Sequence, residues 1–100
     1  MKTAQIVTVI AGLGLASPAF AHSKAKLKDR VEMAKAATVD LASAVAKATA
    51  KQPGKAIEAE MAKKHGKVVW EVEVIGDKGV VMEVDVDAVS GEVIDTEPQK

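Results

Sequence analysis

Apolar and polar residues alternate in two runs between positions 67 and 87. A two-residue period is typical of half-buried β-strands, and the turn residues Gly76-Asp77-Lys78-Gly79 separate the runs. The pattern therefore predicts two antiparallel strands joined as a hairpin, with one apolar face that the rest of the chain must cover. That face comprises Val68, Trp70, Val72 and Val74 in the first strand and Val80, Met82, Val84 and Val86 in the second.

A shorter strand is predicted on either side of this hairpin. From Lys55 to Ala62, apolar residues again alternate with glutamates, which predicts a first strand that turns Ile57 towards the core. After a turn at residues 87–91, residues 92–94 predict a short last strand. Residues 95–100 are polar and include a proline, so we expect them to form a frayed tail.

Helical periodicity precedes the strands. Asp40 can cap a helix by accepting backbone N–H bonds, and Pro53-Gly54 ends that helix. The Lys- and Ala-rich segment before it predicts another helix from Lys26 to Ala37; Thr38 is a competing cap, and one continuous helix through it is the alternative. The face of the main helix that should meet the sheet comprises Leu41, Ala44, Val45 and Ala48.

A helix packed on one face of a small antiparallel sheet is a two-layer α+β fold. Trp70 is the largest side chain of the predicted core. Asp87 can accept hydrogen bonds from backbone N–H groups that follow it in the chain and so fix the turn that ends at Gly91.

The other sheet face is acidic, and its aligned carboxylates repel one another. This face should therefore be solvated or meet something cationic, for which the sequence offers the Lys-rich segment 24–35. The candidate partner-binding face comprises Glu58, Glu60, Glu71, Glu73, Glu83 and Asp85.

The first 21 residues predict a secretory signal peptide. They combine a short positive start, an apolar run too short to span a membrane, and an A-x-A pattern before a cleavage that follows Ala21. We therefore expect a periplasmic or secreted protein. Its parts would be a leader at residues 22–39 that can be helical, a single domain at residues 40–95 and a tail at residues 96–100.

Composition excludes several classes of function. The 100-residue chain has 14 basic and 14 acidic residues and no cysteine, so disulfides and thiolate metal sites are absent and a dominant basic face for nucleic acid is not expected. The sequence contains no phosphate-binding glycine motif and no nucleophile paired with a base in a recognised spacing. We therefore expect no enzymatic activity and no cofactor.

Two groups of residues could bind a metal, but neither is favoured. Glu83, Asp85 and Asp87 share one strand face, yet calcium prefers six to eight oxygens from a curled loop, so a solvated acidic face explains them better. Cleavage after Ala21 would give His22 a free α-amine that could bind copper together with its imidazole, but only His65 is available as a second histidine. No metal site is therefore predicted.

Four segments between Asp40 and Ile94 resemble a PepSY domain. They are Leu41-Ala42-Ser43-Ala44-Val45-Ala46-Lys47-Ala48, Pro53-Gly54-Lys55-Ala56-Ile57-Glu58-Ala59-Glu60, Trp70-Glu71-Val72-Glu73-Val74 and the most diagnostic, Val86-Asp87-Ala88-Val89-Ser90-Gly91-Glu92-Val93-Ile94. The resemblance implies a small exported module of the kind found in propeptides of secreted metallopeptidases, in a sporulation protein and as stand-alone periplasmic or cell-wall proteins. It also implies that there are no agreed catalytic residues. Trp70 stands where the family usually has tyrosine.

The resemblance and the acidic face together predict a non-catalytic binding or regulatory module. Its partner would be a peptidase or a cell-surface signalling protein, met through the acidic face or through an exposed strand edge. The alternatives are a trans-acting inhibitor of a secreted metallopeptidase and, less favoured, a metal-binding periplasmic protein. Nucleic acid is not expected as a partner, nor is stable membrane insertion after signal cleavage.

Overall fold

The computed structural model describes residues 26–99, which form two helices and one four-stranded antiparallel sheet. The strand order in the sheet follows the chain, and both helices lie before the strands, which confirms the predicted α+β class. The predicted signal peptide and His22 lie outside the described residues. The elements are α1 (Leu27–Ala36), α2 (Leu41–Lys51), β1 (Lys55–Lys64), β2 (Lys67–Ile75), β3 (Val81–Asp87) and β4 (Val93–Pro98).

The two helices are separate, so the alternative of one continuous helix is wrong. The chain leaves α1 at Ala37 in an extended conformation, and the N–H groups of Thr38 and Val39 both donate to the carbonyl of Ala88 at 2.8 Å. Asp40 then caps α2 as predicted, since its Oδ1 accepts from the N–H of Ser43 at 2.9 Å. That bond holds the pKa of Asp40 below its ordinary value.

Helix α2 packs on the middle of the sheet through its smallest side chains. Ala44 and Ala48 are fully buried, and alanine lets a helix axis lie close to a sheet. Val45 is half-buried against the core, whereas Leu41, at the start of the predicted stripe, is 49% exposed. Trp70 is half-buried beside the core, as its alternation predicts. The buried cluster consists of Ala48, Val72, Val74, Val84 and Val86.

Ile57 does not enter the core, which corrects the prediction for β1. The pairing between β1 and β2 slips by one residue between Ala56 and Glu58, and Ile57 is the extra residue of this bulge. Its side chain is 51% exposed. Strict alternation along β1 therefore fails near the start of the strand. Ala56, rather than Ile57, takes the core position opposite Val74. A smaller correction applies to Val80, which is half exposed and precedes β3.

The predicted fraying of the chain from Asp95 onwards is also wrong. Strand β4 continues to Pro98, which lies opposite Met82 in β3. The N–H of Gln99 still donates to the carbonyl of Val81 at 2.8 Å. Backbone pairing with β3 orders this polar segment, because an edge strand needs no apolar side chain on its exposed face and tolerates proline.

Asp87 fixes the turn between β3 and β4 as predicted. Its Oδ1 accepts from the N–H of Val89 at 2.8 Å and from the N–H of Ser90 at 3.1 Å, and these bonds lower the pKa of Asp87. The N–H of Gly91 closes the turn by donating to the carbonyl of Asp87 at 2.8 Å. Gly91 is buried with a φ of 82°, a conformation that favours glycine.

Candidate protein-binding face

Carboxylates form two rows that cross all four strands on the sheet face opposite α2. Because directly paired residues of neighbouring strands point to the same side, the strand register defines each row. The first row comprises Glu58, Glu73, Glu83 and Glu97, and the second comprises Glu60, Glu71, Asp85 and Asp95. All six carboxylates predicted for this face lie in the two rows. Asp95 and Glu97 were missed because the sequence placed them in a tail.

Lys64, at the end of β1, lies among three of these carboxylates. Its Nζ is 2.7 Å from Glu83 Oε2, 3.0 Å from Asp85 Oδ2 and 3.2 Å from Glu71 Oε2. The expectation that cations for this face come from the Lys-rich segment 24–35 overlooked Lys64. Three residues of the predicted partner-binding face thus already have an internal ion pair. The sequence signal for Lys64 is its parity, which places it on the same face as Glu58 and Glu60.

The ion pairs shift the pKa values of the groups that form them. The hydrogen bond to Glu83 is the main cause that raises the pKa of the Lys64 ammonium above its ordinary value. Burial opposes ionisation of Glu83, but its hydrogen bonds with Asp85 and Lys64 lower the pKa of this carboxyl overall. Lys64 and Glu83 are therefore charged at neutral pH.

Asp85 is the exception on this face, since its pKa rises to about 7. Its side chain is almost completely buried, and burial is the largest cause; the hydrogen bond with Glu83 raises the pKa further. Asp85 Oδ1 has no hydrogen-bond partner among the described residues, although Oδ2 contacts Lys64. Asp85 therefore takes up or releases a proton near neutral pH, unlike Lys64 and Glu83.

Glu71, Glu83 and Asp85 offer carboxylate oxygens within 4.8 Å of one another, a spacing that a metal ion could bridge. Lys64 Nζ already lies among them, so a cation would have to displace it. Asp87, the third member of the group weighed from the sequence, instead bonds the turn and lies 3.5 Å from Lys67 Nζ. His65 occupies the exposed turn between β1 and β2.

A groove runs between α1 and the outer edge of β1. One cavity of about 390 Å³ is lined by Arg30 and Leu41 on the helical side and by Glu58, Glu60, Met61 and Trp70 on the sheet side. A second cavity of about 670 Å³ continues it along β1 as far as Lys63, beside Asp29, Glu32 and Met33 of α1. The sequence analysis named Leu41, Trp70 and the β1 glutamates but did not predict the groove, because nothing in the pattern of α1 indicates where that helix docks.

These features define a small α+β module with a helix-covered apolar face and an acidic open face. Residues 38–97 match the family model described as "Peptidase propeptide and YPEB domain", PepSY. The match covers more than half of the chain, and the chain belongs to the PepSY family. PepSY domains are typically non-catalytic propeptide or regulatory modules that interact with other proteins.

A solved structure supports the fold. The chain is similar to a candidate lipoprotein from Clostridium difficile 630, with a TM-score of 0.55 and 22% sequence identity. The alignment covers 77% of this chain and 54% of that protein, so the chain spans about half the length of its structural neighbour. No curated protein matches the chain. Within residues 26–99, neither helix is long and apolar enough to cross a membrane.

Proposed function

We propose that this protein is a non-catalytic, exported regulatory module that binds a peptidase or a cell-surface signalling protein through its acidic face. The observation that carries the proposal is the pair of carboxylate rows across all four strands. Aligned like charges destabilise a sheet. A role in binding a cationic partner would explain why the sheet keeps this unfavourable arrangement.

Lys64 neutralises only one part of this face. It contacts Glu71, Glu83 and Asp85, whereas Glu58 and Glu97, at the two ends of the first row, are exposed. Exposed carboxylates at both ends give the face a negative potential that favours a positively charged partner and its rapid encounter. The binding should therefore weaken as salt is added.

Export rests on the predicted signal peptide and on the neighbour, which is described as a candidate lipoprotein. Mass spectrometry of the protein from the periplasmic or secreted fraction tests it. A chain that begins at His22 is the expected result. A full-length chain in the cytoplasm would contradict the export proposal but would not affect the proposal that the acidic face binds a partner.

A cross-linking pull-down from the exported fraction tests the binding face, with residues 22–100 as bait. The variant Glu58→Gln/Glu97→Gln removes two exposed charges from the face, and Asp77→Asn/Glu92→Gln removes two from loops as the matched control. We expect a peptidase or signalling protein to bind the wild type and the loop variant and to be lost from the face variant. Equal retention by both variants would remove the acidic face from the proposal.

A trans-acting inhibitor of a secreted metallopeptidase is a second candidate, favoured by the description of the family as a peptidase propeptide domain. It predicts loss of peptidase activity at a one-to-one ratio of the two proteins. Binding without inhibition would leave the regulatory module and exclude the inhibitor.

A further inference from the structure

The two edges of the sheet differ in the backbone groups that they offer. In an antiparallel ladder, alternate residues of a strand direct their N–H and C=O groups to the partner strand and the others direct them outwards. The bond from Gln99 N–H to the Val81 carbonyl fixes this alternation in β4, so Thr96 and Pro98 face outwards. Asp95 Oδ1 already accepts from Thr96 N–H at 2.9 Å, and proline has no N–H. The β4 edge therefore offers no free N–H donor at Thr96 or Pro98, which makes it a poor template for another strand.

The β1 edge is open. His65 and Gly66, with φ values of 54° and 74°, form the two-residue turn between β1 and β2, and such a turn makes the flanking Lys64 and Lys67 a hydrogen-bonded pair. Alternation along β1 then directs the backbone groups of Ala59, Met61 and Lys63 away from β2. Among residues 26–99 these outward groups have no backbone partner.

Helix α1 stands beside this open edge and forms the second wall of the groove. The cavities of about 390 and 670 Å³ lie between α1 and β1 and together follow the strand from Glu58 to Lys63. Each has the size of a peptide or small-molecule site. An extended segment between a strand edge and a helix would gain main-chain hydrogen bonds from the strand and side-chain contacts from both walls.

The walls specify the side chains that such a segment should carry. Four acidic residues line the groove, against the two basic residues Arg30 and Lys63. Glu58 and Glu60 point to the acidic face, whereas Met61 points to the side of the core. Side chains of an added strand would follow the same alternation. The acidic residues are Asp29, Glu32, Glu58 and Glu60.

We propose that the edge of β1 beside α1 binds an extended peptide segment of the partner as a fifth strand, with lysine or arginine alternating with apolar residues. This inference rests on the proposed function and names the chemistry of the partner. The basic residues pair with the glutamates of β1, and the apolar residues contact Met61 and Trp70 in the groove.

A synthetic, end-capped octapeptide of alternating lysine and valine tests the proposal with residues 22–100. Trp70 is the only tryptophan of the chain, and it lines the groove, so its fluorescence should report binding. Amide NMR shifts should concentrate at Ala59, Met61 and Lys63. A peptide in which glutamate replaces lysine should not bind. Absence of binding by the lysine peptide at millimolar concentration would overturn the proposal.

Two substitutions at one position separate the backbone bond from the side chain. Lys63→Ala removes the side chain and keeps the N–H, whereas Lys63→Pro also removes the outward N–H without breaking a bond to β2. We expect Lys63→Pro to bind the peptide about tenfold more weakly than Lys63→Ala, because the loss strands a buried acceptor on the peptide. Equal affinities would overturn the proposal. If Lys63→Pro fails to fold by circular dichroism, N-methylation of alternate peptide residues tests the same backbone bonds.

The pull-down distinguishes this inference from the proposed function. Partner retained by both Lys63 variants but lost from Glu58→Gln/Glu97→Gln would overturn the edge site and leave the acidic face. Partner retained by every variant would overturn both. Loss from Lys63→Pro, with retention by Lys63→Ala, would support the edge site.

Discussion

The indole N–H of Trp70 donates a hydrogen bond of 2.8 Å to the backbone carbonyl of Val39. Val39 lies in the link between α1 and α2, and its own N–H donates to the carbonyl of Ala88. The link is therefore bonded to the sheet at two points, through β2 and through the turn after β3. Helix α1 ends directly before this link, so these bonds hold its carboxyl-terminal end next to the sheet.

Trp70→Phe tests the bond to Val39. The substitution keeps an aromatic ring in the core but leaves the Val39 carbonyl without its donor, which should lower the free energy of unfolding by about 1–3 kcal/mol. Urea denaturation followed by circular dichroism measures it. Leu41→Ala is the control, because Leu41 lines the same groove but is half exposed, and it should cost less than Trp70→Phe. A Trp70→Phe variant as stable as the wild type would show that the bond contributes nothing.

Removal of Lys64 should leave a repulsive cluster of carboxylates. Lys64→Met keeps the length of the side chain and removes its charge from Glu71, Glu83 and Asp85. We expect a loss of about 2–4 kcal/mol at pH 8, somewhat below the range for completely buried pairs because the Lys64 side chain is 29% exposed. Urea denaturation at pH 8 and pH 5 measures the loss. It should be smaller at pH 5, because Asp85 is then protonated and the cluster has one negative charge fewer.

Lys67→Met is the matched control for that change. Lys67 pairs with Asp87 at 3.5 Å, and its side chain is 56% exposed. Exposed pairs contribute little, so the loss should stay below about 1 kcal/mol. Equal losses for the two lysines would contradict the central role of Lys64.

The raised pKa of Asp85 predicts that stability falls as pH rises through the range below neutrality. Between its ordinary value of 3.8 and about 7, the folded protein binds a proton that the unfolded chain has released. The free energy of unfolding should therefore decrease by up to about 4 kcal/mol from pH 4 to pH 8. Asp40, Glu83 and Asp87 have lowered pKa values, so their stabilisation is fully present above their ordinary values of 3.8 for aspartate and 4.5 for glutamate and is lost in stronger acid.

Asp85→Asn isolates this effect because asparagine has the same shape and does not titrate. Urea denaturation at pH steps between 4 and 8 should show a nearly flat profile for the variant and a falling profile for the wild type. A variant with the same slope as the wild type would assign the pH dependence to other groups.

The alternation of residues predicted the central hairpin because β2 and β3 each have one covered face and one polar face. Val72 and Val84, for example, are completely buried, as their positions indicate. The pattern failed where the backbone breaks the period. A bulge exposes Ile57, and pairing with β3 orders β4, whose side chains give no apolar signal. The alternation of apolar and polar residues indicates neither the bulge nor the pairing of β4.

The acidic rows were predictable in part for the same reason. Six carboxylates follow from strand parity, but the position of a row depends on register, which a single sequence does not specify across four strands. Lys64 was overlooked because its contacts with Glu83 and Asp85 join residues 19 and 21 positions apart. The groove depends on how α1 docks, and that follows from the bonds of Thr38, Val39 and Trp70 rather than from the helical pattern.

Gly54 is the position where the fold should least tolerate a side chain. It has a φ of 152°, and a Cβ placed there would collide with the backbone carbonyl of Ile75 and with Val74. Backbone cannot move aside as a flexible side chain can, so Gly54→Ala should separate the start of β1 from the end of β2 and cost more than about 2 kcal/mol. Gly79→Ala is the matched control: its φ of 78° also favours glycine, but the added Cβ meets no atom, so only the backbone strain of about 1 kcal/mol applies. Thermal and urea denaturation of both variants measure the difference. Equal losses would show that the close approach of Gly54 to Ile75 does not constrain the fold.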